Sequence, residues 1–330
     1  MSYGFDVTRR QQSPPEQADT VLVVGEALID IVETRTGEVI EAPGGSPLNV
    51  AISLGRLGID TVLLTALGTD ERADRIQDHV EASGVVLLDG AQSLPRTSTA
   101  AARMQPDGSA RYEFDVAWCP PVTEIPPVRA LHAGSLALFV EPGASRVQQL
   151  VDEVPRSTLV SLDPNVRPSL LPGHPAVVAR FEDLLTRAHV VKLSDEDAAW
   201  LYPDLNEQAV LRHLLDGGVT LAVLTRGANG CILGSGATQV QVEAISTEVV
   251  DTIGAGDSFM GALIHQLLVR DLVDDLVSWQ PLWPEELEAI GSAAAAAAAI
   301  TVSRLGADPP HLVELGRAHS KLAETESLQP

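Results

Sequence analysis

The residues best suited to chemistry lie in the segment 251–259, DTIGAGDSF. Gly254 and Gly256 precede a helical run, and glycines there expose backbone N–H groups at the positive end of the helix dipole. The N–H groups of Gly254, Ala255 and Gly256 are therefore predicted to bind an anion. Asp257 would repel a passively bound anion, but it suits a base that takes the proton of an attacking hydroxyl. A tight turn with Asp257 as a helix cap is the simpler alternative.

A second glycine pair, Gly44 and Gly45, also stands just before a predicted helix. Paired glycines allow a ligand to approach the backbone closely. Ser46 suits the N-cap of that helix and Pro47 its first position. Asn49 follows within the first turn and offers both a donor and an acceptor to hydroxyl groups, although it also suits a helix surface.

The elements that position these residues begin with the run 21–30, VLVVGEALID. It is predicted to be a buried strand over 21–28 whose end delivers Asp30, and an extended region over 30–42 follows it. At the end of a buried strand Asp30 can serve as a ligand-binding carboxylate, with a surface acid as the alternative. An alternating run over 242–250 is predicted to be the strand that leads into the glycine loop of Asp257.

These three segments, in this order and spacing, resemble the PfkB carbohydrate kinases, also called the ribokinase-like family. The resemblance covers about residues 21–310, and both the Gly-Ala-Gly-Asp and the Gly-Gly-Ser-Pro-x-Asn-Val-Ala elements are specific. It implies an ATP-dependent kinase that acts on a sugar hydroxyl, with Asp257 as base and the loop 254–257 as anion hole. It also implies Mg²⁺ as cofactor, and a monovalent cation such as K⁺ near Asp251.

The resemblance also implies the sugar contacts. These are Asp30, Gly44, Gly45 and Asn49, and from the lid Arg103. Specificity would lie in lid residues such as Arg103, Tyr112 and Phe114.

The segment 161–168, SLDPNVRP, follows a predicted strand and is rich in turn formers. An ordinary loop with an Asx-turn explains it by itself. It is also similar to the Asp-Pro-Asn-x-Arg element of fructokinase-like members, which implies that Asp163, Asn165 and Arg167 lie near the sugar and the phosphates. An arginine there would neutralise phosphate charge.

Two further strand ends resemble the nucleotide side of the family's site. Lys192 and Ser194 end one strand, and Ser194 suits the N-cap of the next helix. Capping alone explains this segment, while the family pattern Asn/Ser-x-x-Glu maps onto Ser194 and Asp197 and implies a role for Asp197 in ordering Mg²⁺. The acid is shortened to Asp here, and Glu196 is a rival for that role.

The other strand end is the segment 225–230, TRGANG, which resembles the family's Thr-x-Gly-x-x-Gly loop beside the nucleotide phosphates. The resemblance implies that Thr225, Gly227 and Gly230 bind the nucleotide. A plain β-hairpin turn is the alternative.

Composition excludes several classes of protein. The formal net charge of −23 argues against nucleic acid or an anionic membrane as partner. No secretory signal and no apolar run of membrane-spanning length is visible, so a cytoplasmic location is predicted. Cys119 and Cys231 lack metal-site spacing and are predicted to be reduced thiols. The P-loop and the dinucleotide-binding glycine motif are not found in the sequence.

The order of predicted elements indicates an α/β fold. Helices over 46–57 and 71–83 alternate with strands near 61–67, 85–88, 130–134, 157–162, 189–193 and 220–225, which is typical of a mostly parallel sheet with helices on both faces. We therefore predict a ribokinase-like three-layer α/β/α sandwich. The β segments at about 30–43 and 97–118 do not fit the main sheet, and the resemblance implies that they form a small β-sheet lid.

The chain is predicted to form one kinase domain over 21–318. Residues 1–20 are predicted to be a disordered tail and residues 319–330 a flexible one. Exposed lid strands also allow a homodimer joined edge to edge.

Fructose is the substrate that the sequence favours, because the start Gly25-Glu26-x-Leu28-Ile29-Asp30 and the Asp-Pro-Asn-x-Arg element both resemble fructokinase-like members. A 2-keto-3-deoxygluconate kinase is the near alternative, and nucleoside kinases are more distant. A non-catalytic sugar sensor that kept the fold is the alternative from another class.

Overall fold

The computed structural model describes residues 19–33, 38–104 and 110–317, and within β6 and β7 it describes only the backbone of residues 102–104 and 110–112. The strands are β1 (Val21–Val24), β2 (Leu28–Glu33), β3 (Val39–Gly44), β4 (Thr61–Leu64), β5 (Val85–Leu87), β6 (Thr99–Met104), β7 (Ala110–Asp115), β8 (Ala130–Gly134), β9 (Leu159–Asp163), β10 (Val190–Ser194), β11 (Leu221–Thr225), β12 (Cys231–Ser235) and β13 (Thr238–Val242).

The helices alternate with these strands along most of the chain. They are α1 (Ser46–Arg56), α2 (Glu71–Ala82), α3 (Gly143–Glu153), α4 (His174–Leu185), α5 (Asp195–Leu201), α6 (Glu207–Asp216), α7 (Ala255–Val269), α8 (Val273–Val277) and α9 (Pro284–Val302).

A nine-stranded sheet forms the centre of the described chain, in the order β13-β12-β11-β10-β9-β8-β1-β4-β5. Every neighbouring pair from β11 to β5 is parallel, whereas the pairs β11–β12 and β12–β13 are antiparallel. Strands such as β1, with the sequence VLVV, are buried on both faces, which is why they are continuously apolar. The predicted mostly parallel sheet is confirmed.

Two apolar cores cover the two faces of this sheet. One contains the inward residues of α1, α2, α7, α8 and α9, and the other those of α3, α4, α5 and α6. Adjacent residues of β1 show the division, because Val23 belongs to the first core and Leu22 to the second. The central sheet with a layer of helices on each face confirms the predicted three-layer α/β/α sandwich.

A separate four-stranded sheet has the order β3-β2-β6-β7. The pairs β2–β3 and β6–β7 are antiparallel hairpins, and β2 runs parallel to β6. Because this sheet is built from the two segments predicted to lie outside the main sheet, we call it the lid. Glu41 on β3 forms ion pairs with Arg72 at 2.5 Å and Arg75 at 3.2 Å on α2, so the lid is tied to the body.

The start of the chain differs from the prediction. The strand expected over 21–28 ends at Val24, and after Gly25, Glu26 and Ala27 the chain enters the lid as β2. Asp30 therefore lies inside a lid strand and not at the end of the first strand. The residues on both sides of this break are apolar, so the hydropathy pattern did not reveal the end of the first strand.

Two other local predictions were wrong. The N-cap of α1 is Gly45, with φ +107°, and Ser46 is already helical and forms no side-chain cap. The strand predicted over 242–250 ends at Val242, and the residues that follow are irregular. Elsewhere the observed bounds fall within about three residues of those predicted.

The predicted tails lie outside the described residues, apart from Asp19 and Thr20. Within the described ranges no helix is long and apolar enough to cross a membrane. Cys119 and Cys231 are both free thiols, as predicted.

Candidate active site

Asp257 lies in the first turn of α7 and is buried. Gly254, directly before the helix, has φ +75°, a left-handed conformation that favours glycine. A Cβ at Gly254 would lie 2.6 Å from the Cβ of Ala307, so the position also demands a residue without a side chain. The N–H groups of the first helical turn have no partner within the helix and can bind an anion beside the carboxylate.

Both oxygens of the Asp257 carboxylate accept a hydrogen bond from the first turn of α1. Ser46 Oγ donates to Oδ1 at 2.7 Å, and Asn49 Nδ2 donates to Oδ2 at 2.8 Å. All three side chains are buried. The turn of α1 that the sequence assigned to sugar binding therefore also holds the carboxylate of Asp257.

Asp30 approaches the same place from the lid strand β2. A Cβ at Gly44 would collide with the Asp30 carboxylate, so glycine is required beside it. Burial, and then the negative charge of Asp257, raise the pKa of Asp30 to about 6. The structure therefore brings together Asp30, Gly44, Asn49 and Asp257, as predicted.

A buried ion pair lies on the other side of the glycine loop. Lys192 Nζ, at the end of β10, is 2.8 Å from Asp163 Oδ2 at the end of β9. Neither oxygen of Asp163 has a well-aligned hydrogen bond among the described residues, so Lys192 is its principal polar contact. A Cβ at Gly256 would lie 3.4 Å from Lys192 Nζ, which puts the ammonium beside the first turn of α7.

The charges of this ion pair are set by burial and by the surrounding carboxylates. Burial raises the pKa of Asp163 to about 6, and Lys192 partly offsets this effect. Burial alone would lower the pKa of Lys192, but Asp163, Asp197 and Asp257 hold it above its ordinary value. At neutral pH the pair is therefore charged, and a cation lies next to the proposed anion site.

A buried carboxylate, a glycine-bounded helix N-terminus and a buried lysine thus meet at the carboxyl ends of parallel strands. The model of the pfkB family carbohydrate kinases matches residues 18–313, which include all of these elements. The chain belongs to this family. It is therefore a sugar phosphotransferase.

The kinase resembles proteins named fructokinase along most of its length. It is 34% identical to the fructokinase of Rhizobium leguminosarum bv. trifolii over 265 residues, which are 77% of this chain and 81% of that protein. It is 31% identical to fructokinase-1 of Oryza sativa subsp. japonica, over 89% of this chain and 94% of that one.

Among solved structures, the fructokinase of Xylella fastidiosa with bound ATP has a TM-score of 0.79 and 25% identity, covering 93% of this kinase and 99% of that chain. The fructokinase of Vibrio cholerae O395, in a form with fructose, ADP and calcium ion bound, has a TM-score of 0.73 and 24% identity over 92% of this kinase and 99% of that chain. The ribokinase-like fold is confirmed.

Asp197 of the kinase has a clear structural task. Its Oδ2 accepts from Ser194 N at 3.0 Å while Ser194 Oγ accepts from Asp197 N, which forms the capping box of α5. Its Oδ1 accepts from Val166 N at 2.7 Å and so holds the 163–167 loop. Each oxygen keeps one further lone pair, so the implied contact with Mg²⁺ or its water stays a prediction. Glu196, the rival, is exposed.

The other residues predicted on the nucleotide side lie at the same edge of the sheet. Thr225 pairs with Ser194 across β10 and β11, and its Oγ1 donates to Leu193 O at 3.3 Å. Gly227 and Gly230 lie in the turn between β11 and β12, both with positive φ. The turn is therefore a β-hairpin, which was the alternative interpretation of this segment. Its position beside Ser194 is also compatible with the predicted nucleotide contact.

Asn165 and Arg167 follow the buried Asp163. Asn165 has φ +36°, and the exposed Arg167 donates through Nη1 to Val166 O at 3.0 Å. The loop itself leaves the Arg167 side chain exposed to solvent. Arg103 lies on β6 of the lid, and its side chain is outside the described part of the chain, as is that of Tyr112.

Asp251 precedes the glycine loop and organises the backbone around it. Its Oδ1 accepts from Ile253 N at 3.1 Å and its Oδ2 from Gly306 N at 2.9 Å. These bonds tie the loop of Asp257 to the segment after α9. They are compatible with the implied monovalent cation near Asp251, which stays a prediction.

Magnesium fits this site only together with the nucleotide. The described residues contain no group of three or more His, Cys, Asp or Glu side chains placed to hold a metal ion. Mg²⁺ at nucleotide sites is commonly held by one or two carboxylates, substrate phosphates and water, so a complete protein cage is not required.

Sequence reasoning missed one residue of the site, because Ser46 was assigned to a cap. It also gave no role to Glu26, a buried acid between the first strand and the lid. Glu26 is buried, its Oε2 accepts from Ala137 N at 3.2 Å, and burial raises its pKa to about 7. A charged residue inside an otherwise apolar run was the signal for Glu26, whereas no local signal marks the contact of Ser46 with a residue 211 positions away.

Proposed function

We propose that this kinase transfers the γ-phosphoryl group of ATP to a hydroxyl of fructose. The observation that carries the proposal is the buried carboxylate of Asp257 at the N-terminus of α7, beside Asp30 and Asn49. Fructose is supported by the fructokinase names of the relatives and by the Asp-Pro-Asn-x-Arg element at 163–167.

Asp257 accepts the proton of the attacking hydroxyl. The sugar oxygen forms a bond to the γ-phosphorus, the bond to the β,γ-bridging oxygen breaks, and ADP leaves with that electron pair. The N–H groups of Gly254, Ala255 and Gly256 donate hydrogen bonds to the oxygens of the phosphoryl group during transfer. These oxygens carry its negative charge. Asp197 would order Mg²⁺ or its water, and the bound ion would supply further neutralisation of phosphate charge.

The sugar is held between the lid and the body. Asp30 and Asn49 bind its hydroxyl groups, while Gly44 and Gly45 let it approach the backbone. The loop of Asp163, Asn165 and Arg167 borders the sugar and the phosphates, and Arg103 contributes from the lid. These assignments rest on the resemblance together with the placement of the described residues.

The nucleotide lies along the ends of β10 and β11. Lys192 and Ser194 approach from one strand, and Thr225, Gly227 and Gly230 from the next. The ammonium of Lys192 beside Gly256 favours a phosphate there. A monovalent cation near Asp251 and a cytoplasmic location belong to the same proposal.

A coupled ADP-release assay with Mg-ATP tests the proposal. The panel is fructose, ribose, glucose, 2-keto-3-deoxygluconate, inosine, adenosine and fructose 6-phosphate, the last because a 28% identical relative is named ATP-dependent 6-phosphofructokinase. We expect the highest kcat/KM with fructose. A higher value with another compound would replace the substrate, and a folded protein inactive on all of them would favour the sugar sensor.

A further inference from the structure

The proposed base does not stand alone in its pocket. Ser46 donates to one oxygen of Asp257 and Asn49 to the other, at 2.7 Å and 2.8 Å. Two donors on opposite oxygens fix the plane of a carboxylate, whereas one donor would leave it free to rotate.

The hydroxyl of Ser46 is not required for the helix. The N-cap position of α1 is occupied by Gly45, and Ser46 forms no side-chain cap bond. Among the resolved contacts, the only hydrogen bond of the Ser46 hydroxyl is the one to Asp257. The usual structural reason for a serine at the start of a helix is therefore absent.

Close packing of α1 against α7 makes the contact rigid. Ser46, Asn49 and Ser53 are spaced by three and four residues and so share one face of α1. Ser53 lies against Gly261 of α7, where a Cβ would collide with the serine hydroxyl, so the two helices approach closely. Asp257 lies four residues before Gly261 on the same side of α7.

We propose that Ser46 is a positioning residue for phosphoryl transfer, which rests on the proposed function. Its hydroxyl, together with the Asn49 amide, holds the Asp257 carboxylate in one orientation for proton transfer. Only Gly45 separates Ser46 from Gly44, the last residue of the lid strand β3, so Ser46 links that strand to the base.

Ser46→Ala tests this inference in the full-length protein. We expect kcat to fall about ten-fold or more, because a hydrogen bond to a charged group is lost, while KM for the sugar stays within about two-fold. Ser46→Thr, which keeps the hydroxyl, restores most of kcat.

Ser53→Ala is the matched control. It removes the same group from the same face of α1, at a buried position whose Oγ has no hydrogen-bond partner among the described residues. We expect wild-type kcat for Ser53→Ala. Equal losses of kcat in both variants would show that Ser46 acts only through the packing of α1 against α7. An effect of Ser46→Ala confined to KM would make it a sugar contact, and wild-type kinetics would also overturn the inference.

A second measurement separates this inference from the proposed substrate. The ¹³C chemical shift of the Asp257 carboxyl, assigned by its loss in Asp257→Asn, can be recorded at one fixed pH without any sugar or ATP. We expect it to change in Ser46→Ala, because the hydrogen bond to one carboxylate oxygen is lost, and not in Ser53→Ala. An unchanged chemical shift in Ser46→Ala would overturn the role of Ser46 even in an active kinase, whereas lack of sugar turnover by the wild type would overturn only the proposed function.

Discussion

At the scale of single residues, the carboxylate of Asp257 is expected to carry the chemistry. Asp257→Asn keeps the shape of the side chain but cannot accept the hydroxyl proton, so we expect kcat to fall about 1000-fold, within the range of general-base contributions. Asp271→Asn, at the other end of α7, is the control and should retain full activity, because asparagine also tolerates its positive φ of 60°. Turnover of Asp257→Asn near the wild-type rate in the ADP-release assay would contradict the assignment.

The ionised carboxylate of Asp30 opposes the stability of the fold. Its pKa rises from 3.8 to about 6 on folding, so between these values the folded protein binds more protons than the unfolded chain, and stability falls as pH rises. Asp30→Asn removes this effect. We expect the variant to have a higher Tm than the wild type at pH 7.5, and the gain to shrink as pH falls below about 6.

Differential scanning fluorimetry from pH 4.5 to 8 measures that difference, and sugar turnover should be lost in parallel. A Tm difference that does not change with pH would show that the Asp30 charge is not destabilising.

At the scale of elements, the contact between β3 and α2 is expected to control the lid. Glu41 binds Arg72 and Arg75, and the hydrogen bond from Arg72 lowers the pKa of Glu41. Glu41→Gln weakens this contact, and we expect a several-fold higher KM for the sugar with a smaller change in kcat. Backbone amides of β3 should exchange hydrogen faster in the variant.

Glu81→Gln is the control for this experiment. Glu81 is an exposed acid on the same helix. Among the resolved contacts, its carboxylate accepts a hydrogen bond only from Gln77, also on α2. Glu81→Gln therefore changes the charge equally without involving the lid. Equal effects of both variants on KM would indicate a general electrostatic effect and not a lid contact.

At the scale of the whole molecule, the lid offers a surface for a second copy. Val32 and Ile40 are cross-strand partners, 38% and 45% exposed, and by strand alternation they lie on the same face as Asp30. We expect a homodimer joined through this face, because adjacent exposed apolar side chains are typical of interaction sites. Ile40→Lys should shift the mass measured by light scattering from dimer to monomer.

Val39→Lys is the control for the dimer. Val39 is 58% exposed but points to the opposite face of the same strand, so its charge should not disturb the pairing. A wild-type monomer at high concentration would contradict the prediction outright.

The sequence by itself determined the family, the element order and the residues proposed for the site. The glycine loop before Asp257, the capping box of Ser194 and Asp197, and the alternation of strands and helices are local features, and local backbone preferences express them wherever the segment lies. Asp30, Asn49 and Asp257 were identified through the resemblance for the same reason, since each stands in a short specific motif.

Only the tertiary structure decided how these motifs meet. The break after Val24 that sends Asp30 into the lid, the bond of Ser46 to Asp257 and the ion pair of Lys192 with Asp163 leave no trace in hydropathy or spacing. Their partners are 29 to 211 positions apart in the chain. Such contacts depend on which helix packs on which sheet face, and that choice is made by the whole core and not by any one segment.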